Sequence, residues 1–290
     1  MMWMKWLGLL VASLMVLVVG LMAYGSWRWN DQSTALSTRL EAARVPHAVA
    51  RYDARELQGL PAPVQRYFRA ALTDGQAVVT AVSIRHAGTF NMSATAERWK
   101  PFTSQQRVIT RRPGFHWDAR VMMLPGVPVH VHDGYIAGAG MLHGAVLGLV
   151  TVVSMTNTPE LAHGELMRFF AEAAWYPTAL LPSQGVRWEA VDDSSAHATL
   201  TDGPLTLKLL FRFNAEGLID TVRAEARGRA VDGKTVTAPW QCRYWGYAMQ
   251  DGMRVPQQGE VVWLLPEGEK PYWRGKTISS SYEFAIAPVR

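Results

Sequence analysis

His130 and His132 lie two residues apart in a segment, 127–133, that alternates as a strand does, so both imidazoles project from one face, the geometry of many metal sites. Asp133 is adjacent in sequence but points to the other face of such a strand. Gly126 stands too close to His130 for a cupin motif, and no Glu follows at the required offset; a half-exposed polar strand face accounts equally well for the pair. His163 and Glu165 form the His-x-Glu pair of zinc deaminases. Those enzymes also need a Cys-x-x-Cys, and this chain has one cysteine, Cys242. Gly138, Gly140 and Gly144 imitate a dinucleotide fingerprint with one residue too many, outside any βαβ unit. No nucleophile elbow, P-loop or His-Glu-x-x-His occurs, so no cofactor is expected. Asp192-Asp193 fits a turn better than a catalytic dyad.

Between Glu97 and Arg120 six basic residues face two acidic ones, interleaved with Trp99, Phe102, Phe115 and Trp117. Beside a membrane, Arg98, Arg107, Arg111 and Arg112 of this stretch would contact an anionic group such as a lipid headgroup, and a solvated sheet face is the plainer alternative. The overall formal charge of +5 is too small to imply nucleic acid. Twelve Trp spread through the chain fill a core or wall a cavity for an apolar ligand.

These residues need a scaffold, and the first element is apolar. Trp6 to Tyr24 runs for nineteen residues without a charge, about the length of a bilayer-spanning helix. Trp27-Arg28-Trp29 follows as an interfacial belt, which favours a retained anchor over a cleaved signal peptide. Basic residues on the two flanks do not fix the orientation. Residues 30–59 read as a juxtamembrane helix and connector. Val64 to Leu72 has helical spacing, and beyond Ala77 the period falls from 3.6 to 2. Strands are expected over 78–92, 105–112, 115–123 and 127–133. Glu160 to Ala174 forms an amphipathic helix with Thr158 as N-cap and Pro159 at N1. Its Leu166, Met167 and Phe170, with Trp175 and Trp240, are the expected ligand contacts.

Tyr135 to Val153 has no acid, Lys or Arg and a glycine at every fourth position from Gly140 to Gly148, so it could be a second span. A strand followed by a buried or interfacial helix fits better, since a span would divide the strands between two compartments. From Leu205 onward long alternating runs are separated by Asp202-Gly203, Glu216-Gly217, Asp232-Gly233, Asp251-Gly252 and Glu267-Gly268, the turns of an antiparallel meander. Val222, Ala224, Ala226 and Gly228 are expected on one face of it, with Arg223, Glu225, Arg227 and Arg229 on the other.

Glu165 to Ser183, followed by Val186 to Leu200, resembles an uncharacterised bacterial membrane-anchored family with a domain of unknown function. Its pattern Arg-Tyr-Leu-Ala-Glu-x-x-Trp-x-Pro-Thr-Ala-Leu-Leu is met by Arg168, Ala171, Glu172, Trp175, Pro177, Thr178, Ala179, Leu180 and Leu181. Phe169 and Phe170 depart from it. The resemblance spans Leu60 to Phe284 and implies membership without an activity. In layout the chain is also similar to the lipoprotein-localisation carriers, half-barrels that shelter acyl chains.

The expected fold class is therefore α+β: an N-terminal transmembrane helix (1–29), a juxtamembrane segment (30–59) and one large curved antiparallel half-barrel (60–290) with helices covering its concave face. The expected function is a single-pass inner-membrane protein whose soluble domain lies outside the cytoplasm and binds an apolar or amphipathic ligand, with membrane lipid as partner. The alternatives are an enzyme, with His130, His132 and Asp133 as metal ligands or with Arg168 and Glu172 as a polar site around Trp175, and a structural partner in an envelope complex.

Overall fold

The computed structural model describes residues 2–93, 96–231 and 234–286. It opens with one unbroken helix, α1 (Met2–Ala42). Its apolar first half is long enough to cross a membrane and is fully exposed. The second half carries Gly25, Trp29, Leu36 and Leu40, all buried. Thr34 and Thr38 satisfy their hydroxyls on the carbonyls four residues back, so the polar residues of this stretch do not interrupt the helix.

A first meander follows: β1 (Val79–Asn91), β2 (Trp99–Ile109), β3 (Gly114–Leu124), β4 (Val127–Ile136), β5 (Ala139–Val146) and β6 (Val150–Thr156). The chain then forms α3 (Pro159–Ala171) and short 3-10 turns up to Gln184. A second meander comprises β7 (Arg187–Asp192), β8 (Ser195–Asp202), β9 (Leu205–Phe213), β10 (Ile219–Val231), β11 (Lys234–Trp245), β14 (Gln258–Leu265) and β15 (Gly268–Phe284). A small hairpin of β12 (Ala248–Gln250) and β13 (Met253–Val255) interrupts it, and α2 (Ala62–Ala71) precedes β1. Antiparallel pairing of β1 with β15 joins both meanders into one 13-stranded sheet whose edges are β6 and β7.

Because the chain leaves one edge and re-enters at the other, the connecting helix must cross a face. α3 contacts β3, β4 and β5 of the first meander and β9 and β10 of the second. Strands β5 and β10 are far apart in the sheet order, tens of ångströms if flat at about 4.8 Å per strand, and a helix is only about 10–12 Å wide. The sheet is therefore curled around α3, open at its edges and not a closed barrel. Thr158 caps the helix by accepting from Leu161 N, and Pro159 fills N1. α2 packs Tyr67 and Phe68 beside Phe213 and Trp188 at the other end of the same core.

Tyr135 to Val153 contains no helix and no span: it is the end of β4, then β5 and β6. Gly140, Gly144 and Gly148 each meet a different constraint. A Cβ at Gly140 would stand 2.7 Å from the backbone nitrogen of Ala162, so that position lets α3 approach the sheet. Gly144 lies against Val153 across β5 and β6, and Gly148 turns the hairpin at φ +69°. Four of the acidic-Gly pairs of the second meander have a positive-φ glycine, at Gly203, Gly217, Gly252 and Gly268. The fifth, Asp232-Gly233, lies outside the described residues.

Strand β10 departs from strict alternation. Ala224 pairs with Trp240, but the next partner pair is Arg227 with Ala238, so β10 advances three residues while β11 advances two. This β-bulge reverses the inside-outside alternation. Ala226 and Gly228 face solvent, and Arg227 turns into the core.

Candidate functional site

Between α3 and the concave face lies a cavity of about 210 Å³. Its walls come from both meanders: Trp117, Val121, Val131 and Leu142 from one, and Trp240, Tyr244, Val261 and Trp273 from the other. Period-2 alternation puts these side chains on one face, and the curl brings the two walls together.

The floor is ionic. Arg168 of α3 donates from Nη1 to Asp133 Oδ2 at 2.8 Å and from Nε to Glu172 Oε1 at 2.7 Å. Gln106 closes the ring, accepting from Arg168 Nη2 at 3.2 Å and donating to Glu172 Oε2 at 2.6 Å. The guanidinium also lies 4.8 Å from the Phe115 ring and 5.0 Å from that of Trp117. Burial opposes the charge on Arg168, but the carboxylates of Glu172 and Asp133 outweigh it and hold its pKa above the usual arginine value. One helical turn earlier, Glu165 accepts from Arg227 Nη2 at 3.3 Å, and Arg227 stacks 4.4 Å over Trp240.

Glu165 is set apart from the other acids. Burial and then the negative charge of Asp133 push its pKa up to about 8, against the pull of Arg227 and Arg168. These surroundings favour its neutral carboxylic-acid form beside Asp133. Glu165 Oε2 and Asp133 Oδ1 are both buried without a hydrogen-bond partner, so a proton on Glu165 relieves the burial of a second unpaired negative charge. Among the residues that line the cavity, two buried donors have no acceptor, Trp117 Nε1 and Arg227 Nη1. Cys242 also lines it, and burial raises its pKa to about 12, so it is a thiol and not a nucleophilic thiolate.

Of the expected ligand contacts, Trp175 and Trp240 line the cavity. Trp175 is locked by donating Nε1–H to the carbonyl of Pro256 at 2.9 Å. Leu166, Met167 and Phe170 are buried in the core behind it, Phe170 against Phe211. Asp133, Trp117 and Arg227 belong to the site although sequence reasoning did not place them there. For Arg168 and Glu172 the signal was present, as the i, i+4 pair of the motif; for Arg227 it was not, because the bulge leaves no mark in the alternation.

The basic cluster is dispersed. Arg107 pairs with Glu41 of α1 and Glu283 of β15, and Arg112 with Asp202 at 2.9 Å. Arg111 sits at the β2–β3 turn, where its carbonyl accepts from Val45 N, and Arg98 is exposed at the far end of the sheet. These four residues do not form a single anion site.

His130 and His132 do share a face, the convex one, opposite Asp133. α1 covers them. The Trp29 indole stacks 3.8 Å from His132 and lies 5.2 Å from His130 and 5.6 Å from His143. Ser33 Oγ donates to Asp118 Oδ2 at 2.6 Å, leaving its lone pair for His132 Nε2–H at 2.7 Å. Trp29 Nε1 donates to Asp118 Oδ1 at 3.0 Å, and Ser37 reaches His116. Among the described residues no group of three or more His, Cys, Asp or Glu is arranged to hold a metal ion. These histidines form a docking surface for α1. Leu36 and Leu40 complete it with Ala81, Ile109 and Ile136 as a small second core.

Fold and site together define an open antiparallel sheet curled around one helix, with an apolar pocket that has a buried ionic floor. Residues 58–282 match the family of unknown function DUF6920, and the chain belongs to that family, as the motif from Arg168 to Leu181 implies. No curated protein matches the chain in sequence. Among solved structures it is similar to a LolA superfamily protein from Nitrosomonas europaea, 13% identical, covering 74% of this chain and 91% of that one with a TM-score of 0.40. It is also similar to a beta-barrel-like protein of domain of unknown function DUF1849 from Brucella abortus, 11% identical, covering 71% and 99% with a TM-score of 0.23.

Proposed function

We propose that this protein is anchored in the inner membrane by α1, with its sheet outside the cytoplasm, and that it binds an amphipathic molecule of lipid class. In this reading residues 1–29 anchor the chain, 30–59 join the anchor to the sheet, and 60–290 form one binding domain. The observation that carries the proposal is the pairing of an aromatic-walled cavity with two buried donors lacking acceptors. An engineered apolar cavity of about 150 Å³ holds benzene. At about 210 Å³ this one accommodates a short stretch of acyl chain. Trp117 Nε1 and Arg227 Nη1 select a ligand that presents an acceptor oxygen, such as a carboxylate, ester or phosphate.

Native mass spectrometry of the full-length protein released from membranes is expected to show a bound amphiphile. Val131→Trp, which fills the cavity, is expected to remove it. An unliganded mass for the wild-type protein, or equal loading of the two proteins, would reject the proposal.

A further inference from the structure

The direction of α1 determines which end of the sheet meets the membrane. Its contacts descend β3 in order: Trp29 and Ser33 at Asp118, Ser37 at His116, and Leu40 at Gly114. Trp29 to Leu40 covers about 16 Å at 1.5 Å per residue, and Asp118 to Gly114 covers about 13 Å at roughly 3.3 Å per residue, so helix and strand run nearly side by side. Upstream of Trp29, α1 therefore leaves the sheet at the end that holds the β3–β4 and β5–β6 turns.

Gly25 fixes the level. A Cβ there would stand 2.2 Å from the carbonyl oxygen of Leu147, and one on Gly148 would stand 2.5 Å from the carbonyl oxygen of Gly25. Backbone thus touches backbone between α1 and the β5–β6 turn, three residues before Arg28, the first charge after Lys5. At this level the chain exposes large apolar side chains where turns are ordinarily polar: Leu124 is 63% and Val150 64% exposed, with Val152 beside them. Cations stand near this end: Lys100, whose Nζ donates to the Met123 carbonyl at 3.0 Å, with Arg28 close to His143 and Arg120 close to His130. The cavity is lined toward the same end by Met92, Val121 and Val129, and Val129 pairs with Val146, the last residue of β5.

We infer that the β3–β4 and β5–β6 turns are a membrane-contact surface: they rest in the headgroup layer of the bilayer that α1 spans, and the cavity opens toward that layer, so its ligand is a bilayer-resident amphiphile taken up laterally. The inference rests on the anchor and the lipid-class ligand proposed above and adds the route by which the ligand arrives. Continuity with the spanning helix identifies the occupant of this apolar rim as lipid.

Cys242 is buried, so an introduced surface cysteine can be labelled selectively. Leu124→Cys, Val150→Cys and, beyond the opposite end of the sheet, Val45→Cys would each carry an environment-sensitive fluorophore in the full-length protein, held in nanodiscs of mixed zwitterionic and anionic phospholipid. The two rim probes are expected to be blue-shifted and quenched several-fold more strongly by spin-labelled lipid than by iodide, and the Val45 probe the reverse. A chain retained in the nanodisc with rim probes as open to iodide as Val45 overturns the inference alone. A chain that does not stay in the nanodisc overturns the anchor as well. In the second arm, Leu124→Glu/Val150→Glu is expected to lower co-purifying lipid several-fold. Equal loading of this variant and wild type overturns lateral uptake while leaving the binding function intact, whereas an unliganded wild type overturns both.

Discussion

Glu165 shows how one residue changes role with its surroundings. On an exposed helix it would be an ordinary surface carboxylate; here burial and the neighbouring Asp133 favour its protonated form. A folded-state pKa raised above the unfolded value makes the native state bind more protons, so stability falls as pH rises from about 4.5 toward about 8 and is level beyond that. Glu165→Gln supplies a permanently neutral group. Its melting temperature is expected to exceed that of wild type increasingly across this window, and the two curves should converge in acid; parallel curves would refute a titrating Glu165. Arg168 is the opposite case. Arg168→Met leaves the Asp133 and Glu172 carboxylates buried without their counter-ion, and a loss of about 3–5 kcal/mol is expected in denaturant unfolding. A loss under about 1 kcal/mol would show that water reaches this floor. The sequence exposes the Arg168–Glu172 pair through i, i+4 spacing, but not Asp133, which arrives from a strand 35 residues away.

At the scale of elements, the docking of α1 is built on histidines that burial holds neutral. Burial is the largest cause at His116, His130, His132 and His143, all lowered from the usual histidine value, with His132 brought down to about 3. Asp118 opposes the shift at His116, His130 and His132; Arg120 adds to it at His130, Arg28 at His143, and the neighbouring imidazoles at His132. The sign follows from linkage: depressed folded pKa values mean that the unfolded state takes up protons first, so the contribution is complete above about pH 6.5 and lost as pH falls below it. Hydrogen exchange of residues 29–41 is therefore expected to accelerate on going from pH 7 to 5, after correction for the intrinsic rate, and His132→Gln should flatten that dependence. Trp29→Ala should release the same segment at neutral pH, at a cost of about 3–5 kcal/mol; unchanged protection would mean that α1 docks through Leu36 and Leu40 alone.

The whole molecule depends on one seam. The β1–β15 pairing joins two meanders, and it runs through Gly88 opposite Gly275, where the Trp273 ring covers the glycine. A Cβ on Gly88 would stand 1.9 Å from the carbonyl oxygen of Arg274, so even alanine forces the strands apart. Gly88→Ala is expected to lose about 1–3 kcal/mol or more, with tryptophan fluorescence and far-ultraviolet dichroism lost in one transition. Two separated transitions would show that each meander is stable without the other.

Period-2 alternation, glycine turns and one uncharged apolar run were enough to determine a long N-terminal apolar helix, an antiparallel meander and an amphipathic helix across it, because those signals are local. Closing the sheet across β1 and β15, bulging β10 so that Arg227 turns inward, and giving each glycine between Gly140 and Gly148 a different neighbour were decided by tertiary structure. Each depends on a partner distant in sequence. A bulge changes which side chains face inside without changing residue types, and an uncharged glycine-rich stretch suits a close-packed edge of a sheet as well as a membrane helix. The pocket exists only where the two halves of the curled sheet meet, which local patterning does not encode.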